Sequence, residues 1–404
     1  SLCSPSSRHD SDPPQAQSYA NEFDLHKSLR CYNQAIQLWE KQITPDSDHS
    51  KFIELLQASS YTLLELGQNE KAQKRLLRIL SLTDEPPHET LMYLAQLNEG
   101  KESLAYYRRG LDAIHRESNK VISPSTSSVS TNSCQIESLC RAESNAWCAI
   151  AELYMTDLCD EPEARTECER AFEGAIQVDP TNPQGYLTAA NYYTVINAEQ
   201  QARDSIHHCL NLWWSKLENF LNDYSARRSG RETELASSVE VGATGDSTVN
   251  DKKECGNSKE EIDNKDEDIQ LDMEELTGIS SAGLLTLVRL MIQWEMWEKS
   301  ETLLDALLEE DEDNVEIHYL LTEVGRHLWK EEDPQLLRYH ALQTKIVSTY
   351  FLSCLSIMAT KLGDQDLADD MAKLLLELPE DEESGSREAE SISSTSSENE
   401  HDPD

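Results

Sequence analysis

The sequence predicts an all-α fold, a solenoid of antiparallel helix pairs. An acidic disordered insertion interrupts the solenoid, and an acidic disordered tail follows it. Apolar residues recur at helical spacing, and the pattern repeats with a period of roughly 34 residues. Apolar residues are also nearly missing from four stretches, which therefore stay outside any core. These stretches are Ser1–Ala20, Glu117–Cys134, Ser225–Gln270 and Glu380–Asp404.

The clearest repeat runs from Pro183 to Asn211. Its first helix carries Tyr186, Ala189, Ala190 and Tyr193, and its second carries Ala202, Ile206 and Cys209. Small residues at such positions let two antiparallel helices approach, and large ones fill the gap between them. The spacing resembles that of the tetratricopeptide repeat.

The preceding repeat has Trp147, Ile150, Ala151 and Tyr154 on its first helix and Phe172 and Ala175 on its second. It ends at Asp179–Pro183, where Pro180 stops one helix and Pro183 suits the first turn of the next. A short insertion around Asp157–Pro162 separates its two helices. That insertion is unusual for a tetratricopeptide repeat.

Three weaker repeats keep the same register, so five are supported in all. Their matching residues are Leu56, Ser59, Ser60, Leu63, Gly67, Ala72, Leu76 and Ile79; then Leu94, Ser103, Tyr107 and Gly110; then Leu284, Leu287, Val288, Met291, Ser300, Leu304 and Leu307. A first helix is predicted at Lys27–Gln42, and further helices at Val315–Trp329, Leu336–Lys361 and Gln365–Leu378.

This pattern predicts five segments along the chain. They are a disordered N-terminus (1–20), a repeat-containing half (21–224) with a Ser-rich loop near 117–134, an acidic disordered insertion (225–272), C-terminal helical repeats (273–378) and an acidic disordered tail (379–404). A helix predicted at Gln200–Tyr224 carries apolar residues beyond the end of its repeat, and these need a neighbour to cover them. One continuous solenoid is therefore favoured over two separate ones.

The formal net charge of −41, from 76 acidic and 35 basic residues, limits the plausible partners. Nucleic acid and anionic membranes are themselves negative, so neither is an expected direct partner, whereas a basic polypeptide is. Asp246–Glu275 holds twelve acidic residues and four lysines, and Glu380–Asp404 holds ten acidic residues and one arginine. Each block could contact a basic partner or could only keep the chain soluble.

No catalytic motif is found, so an enzyme is not expected, and neither is a cofactor. The ten cysteines lack Cys-x-x-Cys spacing, which favours reduced thiols and hence the cytosol or nucleus. His207, His208 and Cys209 are adjacent on a helix and point in different directions, so a metal site is not expected there either. No apolar run is long enough to span a membrane.

A binding surface is the remaining function. In solenoids of this type the first helix of each pair lines the inner face, and amides and carboxylates there suit an extended basic peptide. Taken one at a time, these polar residues could equally be ordinary solvated positions. The candidate residues are Glu54, Tyr61, Glu65, Asn145, Glu152, Thr156, Asp157, Asn191 and Thr194.

The segment Ala146–Cys159, with Asp160–Ala164 and Cys168-Glu169, resembles the dedicated assembly chaperones of large-subunit ribosomal protein four. A weaker likeness lies at Val315–Leu321, where Thr322 and Glu323 replace an expected glycine and tryptophan. The resemblance implies a chaperone that holds this basic protein in the cytoplasm and accompanies it into the nucleus for ribosome assembly. A general scaffold for a multi-protein complex is the alternative.

Overall fold

The structure is a computed structural model that describes residues 24–41, 49–122, 129–224, 271–355 and 373–376. The predicted N-terminal segment 1–20, nearly all of the insertion 225–272 and the tail 379–404 lie outside the described residues. Within those ranges all regular secondary structure is helical. The chain divides into two compact units, Ser1–Tyr192 and Tyr193–Asp404.

The described part of the first unit consists of consecutive helices. They are α1 (Leu25–Glu40), α2 (Ser50–Glu65), α3 (Asn69–Leu82), α4 (His88–Gln96), α5 (Gly100–Ile122), α6 (Val129–Met155), α7 (Ala164–Val178) and α8 (Pro183–Val195), with the unit boundary inside α8. Each helix from α1 to α6 packs against the next one along the chain.

Close approach and turn geometry explain two glycines in the first unit. At Gly110 a Cβ atom would lie 2.5 Å from the Cε of Met92, so the absence of a side chain lets α5 approach α4. Gly67 has a φ of +68° and ends α2, where the N–H of Gln68 donates to the carbonyl of Leu63 at 2.8 Å. That left-handed residue and hydrogen bond turn the chain directly into α3.

Both ends of the predicted Ser-rich loop near 117–134 are helical in the structure. Helix α5 continues to Ile122 and α6 begins at Val129, so only residues 123–128 lie outside the described residues. Tertiary contacts stabilise the end of α5: Glu117 accepts hydrogen bonds from the backbone and ring of His88 at 3.1 and 2.6 Å. A prediction based on apolar composition alone misses a helix end that polar contacts stabilise.

In the second unit the described residues include the C-terminal part of α8 and further helices. They are α9 (Glu199–Asn211), α10 (214–224), α11 (Met273–Thr277), α12 (Ser281–Gln293), α13 (Trp297–Glu310), α14 (Val315–Leu328) and α15 (Pro334–Leu355). Of the helix predicted at Gln365–Leu378, only residues 373–376 are described, and they are helical.

The repeat register predicted in the second unit agrees with its core. All seven residues predicted to fill the repeat that starts near Leu284 are at most 3% exposed. Asn314 accepts hydrogen bonds from the N–H groups of Glu316 and Ile317 and so caps α14.

The helix predicted at Gln200–Tyr224 is in fact two helices. After α9 the N–H groups of Leu212 and Trp213 donate to the carbonyls of Cys209 and Leu210, three residues back, and the chain turns before α10. The turn places Trp213 and Leu217 in the core at 2% and 0% exposure. Burial of these apolar side chains favours the turn over a straight helix.

Candidate polypeptide-binding face

The candidate residues of the first unit lie on α2, α6 and α8 and at the turn that follows α6. Glu54, Tyr61 and Glu65 follow one another along α2 and are solvent-exposed, and Asn145 and Glu152 are exposed on α6. Asn191 is half-buried on α8. The structure arranges Tyr61, Glu65, Asn145 and Glu152, together with neighbouring side chains, in two polar patches.

The first patch joins α2 to α4. Its members are Gln57, Tyr61 and Glu65 from α2 and Glu89 and Tyr93 from α4; we call it the tyrosine–glutamate patch. The rings of Tyr61 and Tyr93 have centroids 6.1 Å apart at an interplanar angle of 53°. The Gln57 side-chain amide donates to a carboxylate oxygen of Glu89 at 3.2 Å.

Negative charge dominates the electrostatics of this patch. The charge of Glu65, with burial and a hydrogen bond to Glu65, raises the pKa of Tyr61 above its ordinary value. For Tyr93, burial comes first and the neighbouring Tyr61, Glu89 and Glu65 add to it, so its pKa is raised as well. Both phenols therefore stay protonated at neutral pH, between two carboxylates.

The second patch joins α6 to α8. Its members are Asn145 and Glu152 from α6, Asn182 just before α8, and Gln184 from α8; we call it the amide patch. Asn182 donates from Nδ2 to the side-chain oxygen of Asn145 at 2.8 Å, and Gln184 donates from Nε2 to Glu152 at 3.3 Å. Asn182 is buried at 1% exposure, so the patch presents the amides of Asn145 and Gln184 beside one carboxylate.

Glu152 is an exposed residue whose carboxyl nevertheless has protein on several sides. This partial desolvation raises the pKa of Glu152 above its ordinary value, although the hydrogen bond from Gln184 acts in the opposite direction. Burial, together with the charge of Glu152, raises the pKa of the neighbouring Tyr107 to about 12. A cation at Glu152 would relieve the cost of this crowded negative charge.

Three candidate residues already have partners within the fold. The hydroxyl of Thr156 donates to the carbonyl of Glu152 at 2.8 Å, and the carboxylate of Asp157 accepts a hydrogen bond from the N–H of Gly100 at 2.9 Å. Thr194 lies in the second unit and accepts a hydrogen bond from the indole of Trp294 at 3.0 Å. The three residues therefore use part of their hydrogen-bonding capacity within the fold, as the members of the amide patch also do.

Glu89 and Tyr93 were not predicted, because the repeat that contains them is shortened near Pro86-Pro87. A template with a fixed period of roughly 34 residues places the counterpart of Tyr61 at Ala95, two residues after Tyr93. The aromatic residues that recur at a similar spacing in α2 and α4, Tyr61 and Tyr93, were the available signal.

Cys148 and Leu187, three residues after Asn145 and Gln184 on the same helices, are buried at 2% and 3% exposure. Cys148, Cys168 and Cys209 are free thiols, and burial raises the pKa of each to about 12. They act as small core residues.

The described residues form neither a metal-binding cluster nor a membrane-spanning helix. No group of three or more histidine, cysteine, aspartate or glutamate side chains there is arranged to hold a metal ion. Among the described helices, none is both long enough and apolar enough to cross a membrane.

The chain is similar to known assembly chaperones in both sequence and fold. No family model matches the chain. A probable assembly chaperone of rpl4 from Schizosaccharomyces pombe is 29% identical over 151 residues, which are 36% of this chain and 41% of that protein. The match thus spans about two fifths of the relative's length. It confirms the resemblance noted in the sequence.

Among solved structures, an assembly chaperone of RpL4, Acl4 (residues 1–338), superimposes with a TM-score of 0.57. The two chains are 19% identical, and the match covers 80% of this chain and 98% of that one. A tetratricopeptide repeat protein from Parabacteroides merdae has a TM-score of 0.43 at 10% identity and covers 90% of this chain and 96% of its own. The Acl4 superposition confirms the predicted fold class, an all-α, tetratricopeptide-type solenoid.

Proposed function

We propose that this chain is an assembly chaperone that holds large-subunit ribosomal protein four and shields its basic segments until the protein joins the ribosome. The observation that carries the proposal is the 29% identity, over 151 residues, to a probable assembly chaperone of rpl4. The proposed role is binding without catalysis. Because ribosomal proteins are made in the cytoplasm and assembled in the nucleus, the chaperone would act in both compartments.

The two polar patches supply chemistry that suits such a client. The tyrosine–glutamate patch and the amide patch together offer three carboxylates, Glu65, Glu89 and Glu152, and neither patch contains a lysine or an arginine. Carboxylates can meet the positive charges of an extended basic segment, and amides can pair with its backbone. The remaining negative charge of the chain would raise the rate of encounter with the client.

The proposal is tested by capture of the purified chain from a ribosome-free extract, followed by mass spectrometry of the bound proteins. Large-subunit protein four is expected to be enriched far above other basic proteins at physiological salt. Equal recovery of many basic proteins would contradict a dedicated chaperone. Recovery of several partners with no bias towards basic segments would favour the scaffold alternative.

A charge reversal at Glu152 tests the site itself. Glu152→Lys is expected to weaken binding of protein four by about tenfold or more, because it replaces an attraction with a repulsion in a partly desolvated position. Glu173→Lys makes the same charge change at an exposed position of α7 outside both patches and is the matched control. Equal losses in the two variants would show that only net charge matters.

A further inference from the structure

The tyrosine–glutamate patch exposes an aromatic ring beside carboxylates. Tyr61 is 48% exposed, so much of its aromatic ring is accessible to solvent. Glu65 lies one helical turn further along α2, so its carboxylate is on the same side of the helix as the ring. An exposed aromatic face with a carboxylate at its edge is a suitable surface for a cation.

No cation from the fold itself takes this position. Among the described residues Glu65 forms no salt bridge, and the nearest positive group to Glu89 is the ring of His88 at 3.4 Å. The groups that act on Tyr61 and Tyr93 are carboxylates and phenols, and all of them favour a positively charged neighbour. Apart from the His88 ring beside Glu89, the fold leaves this patch open to a positive group from a bound molecule.

The ring geometry decides where a cation would lie. A flat cation held between two rings needs about 7 Å between parallel planes, twice the usual van der Waals contact distance. The centroids of Tyr61 and Tyr93 are 6.1 Å apart and the rings are inclined at 53°, so they contact each other and leave no such slot. The open face of Tyr61 remains available.

We propose that the tyrosine–glutamate patch holds one arginine side chain of the bound polypeptide. The guanidinium stacks on the open face of Tyr61 and donates hydrogen bonds to the carboxylate of Glu65. Arginine fits better than lysine because a planar, weakly hydrated guanidinium can stack and donate at the same time, whereas an ammonium is a compact, strongly hydrated charge. This inference rests on the proposed function in that the arginine is assigned to a basic polypeptide client.

The test compares capped oligo-arginine and oligo-lysine peptides of equal length as probes, with the full chain and fluorescence anisotropy as the readout. Tyr61→Leu is expected to weaken oligo-arginine binding by about two- to fivefold and to leave oligo-lysine binding nearly unchanged. Tyr61→Phe keeps the ring and should bind oligo-arginine like the parent chain. Tyr339→Leu removes a ring that is 50% exposed in the other unit and serves as the matched control.

Three outcomes would overturn the inference. They are unchanged oligo-arginine binding in Tyr61→Leu, an equal loss for both peptides, and an equal loss in Tyr339→Leu. The capture experiment with protein four is independent of these results. A chain that prefers arginine through Tyr61 but does not retain protein four would refute only the proposed function, and the reverse result would refute only this inference.

Discussion

The His88–Glu117 pair provides a pH-dependent test of how the first unit is stabilised. His88 begins α4, and Glu117 in α5 accepts hydrogen bonds from its backbone N–H at 3.1 Å and its ring Nδ1 at 2.6 Å. The side chains of His88 and Glu117 are 11% and 31% exposed. We consider the replacement Glu117→Gln, which keeps the shape of the side chain and removes its charge.

The pair shifts the titration of both members. Burial disfavours the charge on His88, but the hydrogen bond with Glu117 and the charges of Glu89 and Glu117 outweigh it and raise the pKa of His88 above its ordinary 6.5. Burial alone would raise the pKa of Glu117, yet the hydrogen bond and charge of His88 lower it below 4.5. The stabilisation is therefore complete between pH 4.5 and 6.5.

Outside this window the stabilisation is lost in both directions. It falls when the pH drops through the lowered pKa of Glu117, and it falls when the pH rises through the raised pKa of His88. A hydrogen bond to a charged group contributes about 1.5–3 kcal/mol, and the partial exposure of Glu117 reduces this to roughly 1–2 kcal/mol. For a cooperative unit of this size the loss in Glu117→Gln corresponds to roughly 2–8 °C in Tm.

The assay is thermal unfolding of the parent chain and the variant, followed by circular dichroism at about pH 5.5 and about pH 9. The difference in Tm is expected to be larger at the lower pH. Glu143→Gln is the control, because its partner His115 is 55% exposed and a pair of that kind contributes little. A Tm difference that is equal at both pH values, or larger at the higher one, would refute the reasoning.

Two further predictions concern Asp157 and His340. Asp157→Ala should lower the free energy of unfolding by about 0.5–2 kcal/mol, measured in urea, because the N–H of Gly100 at the start of α5 loses its acceptor; an unchanged midpoint would mean that this hydrogen bond contributes nothing. His340 is 4% exposed and shares an Nδ1–Nδ1 contact of 2.9 Å with His318, and burial together with His318 lowers the pKa of His340 to about 4. The unfolded chain therefore binds more protons between this pKa and the ordinary value of 6.5, and stability should fall by roughly 3 kcal/mol as the pH drops through that window. His340→Gln should flatten the decline, and a variant that keeps the full decline would show that another group causes it.

The fold can be predicted from the sequence because the same pattern of buried and exposed positions recurs in successive repeats. Buried positions such as Leu284, Val288 and Met291 lie where the repeat register puts them. In α4 the shortened turn at Pro86-Pro87 moves Tyr93 out of the regular repeat spacing, although Leu94 in the same helix is buried as predicted. The local apolar pattern also could not reveal the turn before α10, which accompanies the burial of Trp213 and Leu217.

The candidate site is harder to predict, because the residues that a polar side chain contacts depend on the tertiary structure. Asp157 has the chemistry of a client-binding carboxylate, but it accepts a hydrogen bond from an N–H 57 residues away. Glu152 has the same chemistry and is exposed like Asp157, but the hydrogen bond it accepts comes from the Gln184 side chain on the amide patch. Nothing in the local sequence separates these two cases.

The most direct measurement of the proposed function is the dissociation constant of purified large-subunit protein four, compared at physiological salt with that of another ribosomal protein of similar positive charge. A dedicated chaperone should bind protein four at least about a hundredfold more tightly, a difference of roughly 2.7 kcal/mol. Equal affinities that fall together as salt is added would contradict the account, because nonspecific attraction between opposite charges would then explain all of the binding.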